Sequence, residues 1–372
     1  MSVFERRTDT VEDGAGIQIG PNGVRVLDQL GVARSLEPFV CVPDEIVARD
    51  GDTGAVLCRL PLGDWIAQRF GAPYWVTHRS DLHAVLRERV EADPNIKLVT
   101  GVEIDGCAHV FDDDTHPAGV DALSLNKSVG RADLVVAADG LHSKLRTSVF
   151  SSALPSPVGM RATRCVVNME DVPADFQNQS VGVWLSPHGH VVHYPVRQGR
   201  ELAIVVISHS DCDVGGWGEV VSRAAVMASV NHFATGARQL IEAASSWRMW
   251  TLRELQMPAK LVRDRTVLIG DAAHPVMPFL AQGGVLALED SVVLAKALCD
   301  HACIDAGLEA FDRARRDRVL RVQKASAHNG RIYHLAGPLA FARNLVMRHA
   351  SPKRLLGGYD WLYGWRLSNW KD

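Results

Sequence analysis

The spacing of apolar residues divides the chain into α/β segments at both ends and a run of alternating strands between them. Residues 1–5 and 134–138 form short apolar runs, and a third run, TVLIG, ends at Gly270. Residues 77–96 carry apolar positions at helical spacing, with Ser80 or Asp81 as the expected cap. From 158 to 210 the pattern changes to short strands broken by turns such as SPHGH and RQGRE. The sequence therefore predicts an antiparallel meander inserted into an α/β unit.

This pattern predicts a division into two units with ligand space between them. The first unit is discontinuous and comprises residues 1–56, 75–150 and 262–330. The second comprises residues 57–74 and 151–261, which include the meander. Residues 331–372 form a C-terminal helical tail rich in aromatic residues, whose role the pattern leaves open.

The composition is that of an ordinary soluble globular protein and excludes several other classes. The 372 residues are 47% hydrophobic and 22% charged, with a formal net charge of -3. No basic excess indicates nucleic acid, and no apolar run approaches the ~18 residues of a membrane span. The N-terminus lacks a signal-peptide core, and the seven cysteines form no CxxC pair. We expect a cytoplasmic protein without a metal site.

The stretch GDAAHPVMPFLAQGG, residues 270–284, carries the strongest chemical signal in the chain. Asp271 lies at the carboxyl end of a strand, where open α/β sheets bind ligands, and a carboxylate there accepts hydrogen bonds from sugar-type hydroxyls. Two prolines stiffen the loop, and Gly283 and Gly284 open a helix whose free N–H groups favour negative charge. The stretch predicts a ligand that becomes anionic during turnover.

Four stretches together resemble the FAD-dependent aromatic-ring monooxygenases of the salicylate hydroxylase type. They are this GD stretch, ADLVVAADGLHSKLR with its Asp139–Gly140 turn, VTHRSDLHAVLRERV and GAGIQIGPNGVRVLDQLG, in the family's order over roughly residues 1–300. The resemblance implies an α/β fold: a Rossmann-like FAD-binding domain of the glutathione-reductase type with an inserted antiparallel-sheet substrate domain. It also implies hydroxylation of a small aromatic or polyketide-type ring, using O₂ and NAD(P)H, through a flavin hydroperoxide.

The resemblance also assigns cofactor roles residue by residue. It places Asp271 at the ribityl chain of FAD and the backbone near Gly284 at the flavin pyrimidine edge. Glu5 would hold the adenosine ribose, Gly16 would approach the cofactor closely, and Arg79 would reach the flavin side of the site. NAD(P)H would bind transiently over the flavin, because the chain contains no second Rossmann unit.

In the substrate domain the resemblance implies an arginine and a tyrosine, which by position are Arg164 and Tyr194. An arginine can hold an anionic substrate through a charge-assisted fork, and a tyrosine hydroxyl can orient a phenol or help to deprotonate it. His190 or His193 is a further candidate base, and their spacing does not choose between them.

The chain departs from the family at its N-terminus. Relatives begin with a strand and GxGxxG, whereas this sequence begins at the strand that ends in the ribose acid; GAGIQIG follows that acid and is not the fingerprint. The sequence thus suggests an N-terminally truncated fold lacking about thirty residues. One alternative is an inactive truncated paralogue or gene-model fragment that does not hold FAD. Another is a nicotinamide-only dehydrogenase, in which the GD stretch has no role.

Overall fold

The computed structural model describes residues 1–8, 15–111, 117–210 and 218–367. Gly14, the first glycine of the predicted GAG turn, lies outside the described residues, and Gly16 lies inside them.

The described strands are β1 Ser2–Glu5, β2 Gly16–Ile19, β3 Glu45–Asp50, β4 Val56–Pro61, β5 Trp75–His78, β6 Lys97–Thr100, β7 Gly106–Phe111, β8 Pro117–Ser124, β9 Lys127–Ala132, β10 Val135–Ala137, β11 Ser156–Asn168, β12 Ser180–Ser186, β13 Gly189–Val196, β14 Glu201–His209, β15 Glu219–Val221, β16 Trp247–Glu254, β17 Val262–Arg263 and β18 Thr266–Leu268. The helices are α1 Pro21–Gln29, α2 Ala33–Leu36, α3 Gly63–Phe70, α4 Arg79–Glu91, α5 Lys144–Phe150, α6 Arg223–Ser229, α7 Thr235–Glu242, α8 Gly283–Asp300, α9 Ile304–Tyr333, α10 Gly337–His349, α11 Pro352–Gly357 and α12 Asp360–Tyr363.

The largest sheet has the strand order β15-β16-β11-β14-β13-β12-β3-β4. Its pairs are antiparallel except β12 with β3, so the predicted antiparallel strands over 158–210 are confirmed, but only β12, β13 and β14 form a meander, because β11 pairs with β14 rather than with β12. The stretch DGDTG forms the turn between β3 and β4. Because β3 pairs within this sheet, we propose that the first segment of the cofactor unit ends before Glu45 rather than at residue 56.

The parallel strands form two small sheets, and no described strand joins them. β1 pairs with β6, while β10 pairs with β18, which also pairs with β17. The β10–β18 register sets Ala137 opposite Leu268, so the Asp139–Gly140 turn and the Gly270–Asp271 turn leave the same sheet end. Parallel strands bind ligands at their carboxyl ends, and both predicted motifs lie at such an end.

Two apolar cores cover the two faces of the large sheet. On one face, α6 and α7 pack over Trp184 and Trp247. On the other face, Tyr194 packs with Leu280 of the GD stretch and Leu286 of α8. The second face therefore looks towards the cofactor unit, and we call it the inner face. Within the described ranges, no helix has the length and apolar character needed to span a bilayer.

Helix α4 begins at Arg79, two or three residues earlier than a cap at Ser80 or Asp81 implies. Its cap is His78, whose ring Nδ1 accepts a hydrogen bond from the Ser80 amide at 3.3 Å, so the expectation of a Ser80 or Asp81 cap is wrong. A histidine ring replaces the usual hydroxyl or carboxylate cap because the antiparallel pairing of β2 with β5 sets His78 opposite Gly16.

Candidate functional site

The turn after β18 presents Asp271 to an open cleft. Gly270 has a φ of +57°, a conformation that favours glycine, and it directs the next side chain out of the core. Asp271 is accessible to solvent, while Ala272 and His274 beside it are buried. The surrounding protein still desolvates the carboxylate and raises the pKa of Asp271, although the charges of His274 and Arg79 oppose the rise. Asp271 therefore lies in a cleft rather than on an open surface.

Arg79 lies on the same side of this cleft. It is the first residue of α4, its side chain is exposed, and its amide donates a hydrogen bond to the Ala15 carbonyl at 2.7 Å. Its positive charge reaches Asp271, as the opposing effect on that carboxyl shows. The structure thus brings together two residues separated by almost two hundred positions.

Gly16 allows β2 to cross the ring of Tyr194. A Cβ at Gly16 would lie 2.4 Å from Tyr194 Cε2 and 2.8 Å from its hydroxyl oxygen, so any side chain would collide. Beside it, Ile17 Cδ1 would lie 3.0 Å from a Cβ at Gly284. Gly16 therefore packs directly against Tyr194, whereas Gly284 packs against Ile17, the next residue of β2, whose side chain points to the opposite side of the strand.

Arg164 and Tyr194 share the inner face of the large sheet. Arg164 pairs with Val205, which pairs with Val192, and Val192 precedes Tyr194 by two residues on the same face. Burial raises the pKa of Tyr194 to about 12, and the charge of Arg164 opposes that rise. Tyr194 is thus a neutral phenol at neutral pH. The Arg164 guanidinium also lies over the Trp250 ring at 4.1 Å, a cation–π contact.

The two candidate histidines on β13 face opposite sides of the sheet. His190 lies on the inner face, where its Nδ1 is 2.9 Å from His334 Nε2 and its ring contacts Phe279 of the GD stretch edge-on at 5.5 Å. His193 lies against Phe176 in the opposite core, and among the described residues neither of its ring nitrogens has a hydrogen-bond partner. The strand register therefore favours His190 as the histidine that can reach a ligand.

Burial keeps His190 uncharged. Loss of solvation lowers its pKa to about 3, and the neighbouring His334 adds to the effect. A neutral imidazole can accept or donate one hydrogen bond, but it contributes no positive charge to the site.

Glu5 lies at the carboxyl end of β1, as predicted. Its Oε1 accepts a hydrogen bond from the Arg7 amide at 2.8 Å, and its carbonyl accepts one from the Val102 amide at 3.1 Å. Among the described residues, none of its hydrogen bonds connects it to the Asp271 group. Its predicted role at the ribose stays a prediction.

A buried charge network beneath the GD turn was missed by sequence reasoning. Asp290 Oδ2 accepts hydrogen bonds from the Gly270 amide at 2.8 Å and from His274 Nε2 at 2.7 Å. Asp290 Oδ1 accepts from Arg315 Nε at 2.6 Å, and Arg315 also bonds Glu289 at 3.0 Å. Asp290 therefore holds both ends of the turn that carries Asp271. The signal was present as two acids within the apolar run VLALEDSVVLAKAL.

Arg146 connects the two motif turns and was also missed. It is fully buried and donates hydrogen bonds to the Ala272 carbonyl at 2.9 Å and to the Leu141 carbonyl at 2.7 Å. A buried arginine that satisfies carbonyls in two loops fixes the distance between them.

The residues around the cleft fit FAD. Gly283 leaves open space at the start of α8 where a side chain would lie, and Asp271 supplies a carboxylate acceptor in a partly desolvated position. These are the features that a flat ring with a hydroxylated arm requires.

Comparison with known proteins gives consistent results. The model of a family described as "FAD binding domain" matches residues 1–328. The chain is 32% identical to a 3-hydroxybenzoate 6-hydroxylase from Klebsiella oxytoca over 372 residues, covering 99% of this chain and 91% of that protein. It is 34% identical to a 3-amino-4-hydroxybenzoate 2-monooxygenase from Streptomyces cremeus, with 97% and 88% covered. A solved salicylate hydroxylase substrate complex superposes with a TM-score of 0.80 at 21% identity, with 96% and 89% covered.

Proposed function

This chain belongs to the FAD binding domain family as an FAD-dependent aromatic monooxygenase, and from that premise we propose that it hydroxylates a small phenol that carries a carboxylate. The proposed co-substrates are O₂ and NAD(P)H. One oxygen atom enters the ring as a hydroxyl group, the other leaves as water, and NAD(P)H with one proton supplies the two electrons. The relatives named above, which act on hydroxybenzoates, support this substrate class.

The single observation that carries the proposal is the shared sheet face of Arg164 and Tyr194. Tyr194 lies against Gly16, and Arg164 lies two strands away on the same face, which packs against Leu280 of the GD stretch. A cation and a neutral phenol on one apolar face match a substrate with an anionic group and a hydroxyl group.

Residues of this chain would hold the flavin, the ribityl chain and the adenosine ribose of FAD. Asp271 would accept hydrogen bonds from the ribityl chain, Glu5 would hold the adenosine ribose, and the backbone at Gly284 would lie along the flavin pyrimidine edge. Arg79 would place its charge on the flavin side. When bound, FAD supplies the electrons that activate O₂ for insertion into the ring.

The inner-face residues would orient the substrate. Arg164 would bind the carboxylate while its guanidinium stays on Trp250. Tyr194 would donate or accept a hydrogen bond at the phenolic hydroxyl, and neutral His190 would accept one from that hydroxyl before its proton passes to solvent, because an imidazole with a pKa of about 3 does not retain the proton. Phe279 and Leu280, both nearly buried, would exclude water from this side.

A direct assay tests the proposal. We expect the purified protein to bind FAD, to oxidise NAD(P)H when 3-hydroxybenzoate is added, and to incorporate one oxygen atom from isotopically labelled O₂ into the aromatic product. A colourless protein that added FAD does not stabilise would overturn it. So would NAD(P)H oxidation that yields only hydrogen peroxide with every hydroxybenzoate isomer.

Replacing Arg164 with Met should raise KM for a hydroxybenzoate about tenfold or more, because one charge-assisted hydrogen bond contributes about 1.5–3 kcal/mol. KM for the corresponding phenol without a carboxylate should stay within about threefold, since that substrate forms no such bond. Steady-state kinetics on both substrates measure the difference.

The matched control is Arg161→Met. Arg161 lies on the same strand but on the opposite face, where its Nε donates to Ser208 Oγ at 3.2 Å. We expect its KM values to match those of the unmodified protein. If KM rises equally for both substrates in the Arg164→Met variant, the substitution has instead distorted the sheet.

A further inference from the structure

Helix α10 presents an apolar face to solvent. Four of its large side chains are highly exposed: Leu339 at 64%, Phe341 at 72%, Leu345 at 49% and Val346 at 59%. Phe341 and Leu345 are one turn apart, Leu339 and Val346 are two turns apart, and the exposed Ala342 lies between the two pairs, so the apolar residues cover almost half of the helix circumference. Monomeric proteins rarely expose such a contiguous patch without a function.

The helix is held firmly by its other side. Arg343 is buried and donates hydrogen bonds to the Ile332 carbonyl at 3.0 Å and the Tyr333 carbonyl at 2.7 Å. Asn344 donates to Asp50 Oδ2 at 2.7 Å, which connects α10 to the end of β3. The apolar residues therefore cannot turn inward without breaking buried hydrogen bonds.

The surroundings of this face are basic. Between Asp317 and Asp360 the sequence contains no aspartate or glutamate. Arg348 and His349 end α10, and Lys353 and Arg354 follow in α11; all four are exposed. The apolar face thus borders a cluster of positive charge.

We propose that α10 and α11 dock on an anionic membrane surface. A helix with an exposed apolar face and basic residues beside it lies in the interface between headgroups and acyl chains, and anionic lipids add electrostatic attraction. Charge complementarity selects this occupant. A second copy packed face to face would bring the same basic side chains together, and the acid that contacts α10, Asp50, lies on the side of the helix that Asn344 holds.

The inference does not depend on the proposed substrate. It concerns a surface on the opposite side of α10 from Tyr333 and is tested with the full protein and no substrate.

Vesicle sedimentation tests the proposal. We expect the FAD-loaded protein to bind vesicles rich in phosphatidylserine, to bind phosphatidylcholine vesicles weakly, and to be released by high salt. The double variant Phe341→Ser/Leu345→Ser should lose binding. Lys353→Glu/Arg354→Glu should reduce binding to the anionic vesicles about tenfold or more.

A matched control distinguishes binding through this surface from nonspecific adsorption to vesicles. Val220, on the edge strand β15, is 70% exposed, about as much as Phe341, but it lies outside the α10 surface. Val220→Ser should therefore not alter vesicle binding. Unfolding curves of all variants should coincide, because the substituted side chains are exposed. Failure of the unmodified protein to bind either vesicle overturns the proposal. A second result would also overturn the proposal: the unmodified protein is a dimer in sedimentation velocity, and Phe341→Ser/Leu345→Ser dissociates that dimer. In that case α10 would be a subunit interface.

Discussion

Replacing Arg315 with Met should destabilise the FAD-free protein by about 3–5 kcal/mol, because it leaves two buried carboxylates without their shared cation. Arg315, Glu289 and Asp290 are all inaccessible to solvent, and the arginine bonds both acids. Burial alone would lower the pKa of Arg315, but the charges of Asp290 and Glu289 outweigh it and raise that pKa. Urea unfolding followed by circular dichroism measures the loss.

The pH dependence of this variant should reverse in sign. In the unmodified protein, burial tends to raise the pKa of Glu289 and of Asp290, yet the arginine charges hold both below their usual values. Their contribution is therefore present above the unfolded pKa of about 4 and is lost as pH falls further. Without Arg315, burial should dominate at Asp290, raise its folded pKa, and make acidification from pH about 8 to about 5 stabilising.

Arg313→Met is the matched control. Arg313 is on the same helix but its side chain is 63% exposed, and its contact with Glu309 spans 4.0 Å. A surface pair of this kind contributes about 0–1 kcal/mol. Comparable losses in the two variants would contradict the view that burial, rather than charge pairing as such, makes the Arg315 network important.

The C-terminal tail shows what the sequence could not reveal. Its aromatic richness was visible, but its role depends on arginines from remote helices. Arg318 donates to the Trp361 carbonyl at 3.0 Å, Arg25 donates to the Tyr363 carbonyl, and the Arg321 guanidinium lies 4.0 Å from the Trp361 ring centre. Because these contacts join residues far apart in the chain, no local pattern encodes them. The tail covers the outside of the same network that holds the GD turn.

The strands could be predicted from the sequence because the alternation of apolar and polar residues within each strand is a local pattern. The alternation in HVVHYPV by itself places His190 and Tyr194 on one face of the strand and His193 on the other. Which face of the sheet lies towards the cofactor depends on the packing of Leu280 and Leu286 against the sheet. This is a tertiary contact that the local sequence does not encode. The same limit applies to Gly16, whose need for a bare backbone appears only when Tyr194 lies beneath it.

The site role of Arg79 came from family resemblance rather than from pattern, whereas the strand-end position of Asp271 was readable in the sequence. An arginine in the first turn of a helix is usually solvated, and Arg79 is indeed exposed. Its closeness to Asp271 follows from the hydrogen bond between its amide and the Ala15 carbonyl, which ties the start of α4 to β2. In the sequence, an arginine that belongs to a binding site therefore looks the same as an ordinary surface arginine. Only the strand pairing distinguishes the two.

Replacing Asp271 with Ala should weaken FAD binding about a hundredfold or more, measured by titration of flavin fluorescence. Hydrogen bonds from hydroxyls to a carboxylate contribute about 1.5–3 kcal/mol each, and Asp271 can accept two. Stability of the FAD-free protein should hardly change, since the side chain is accessible and the turn is held by Asp290 rather than by Asp271.

Acidification provides an independent check on the same carboxylate. Desolvation raises the pKa of Asp271, so the charged form is lost at a higher pH than for an ordinary aspartate. FAD affinity of the unmodified protein should therefore fall as pH drops through this raised pKa, whereas Asp271→Asn should bind more weakly and lack that dependence. Asp264→Asn, an exposed change in the turn between β17 and β18, is the control and should retain both the affinity and its pH profile. Unchanged affinity in Asp271→Ala would place the cofactor elsewhere and remove the basis for assigning the cleft between the GD turn and the inner face to flavin.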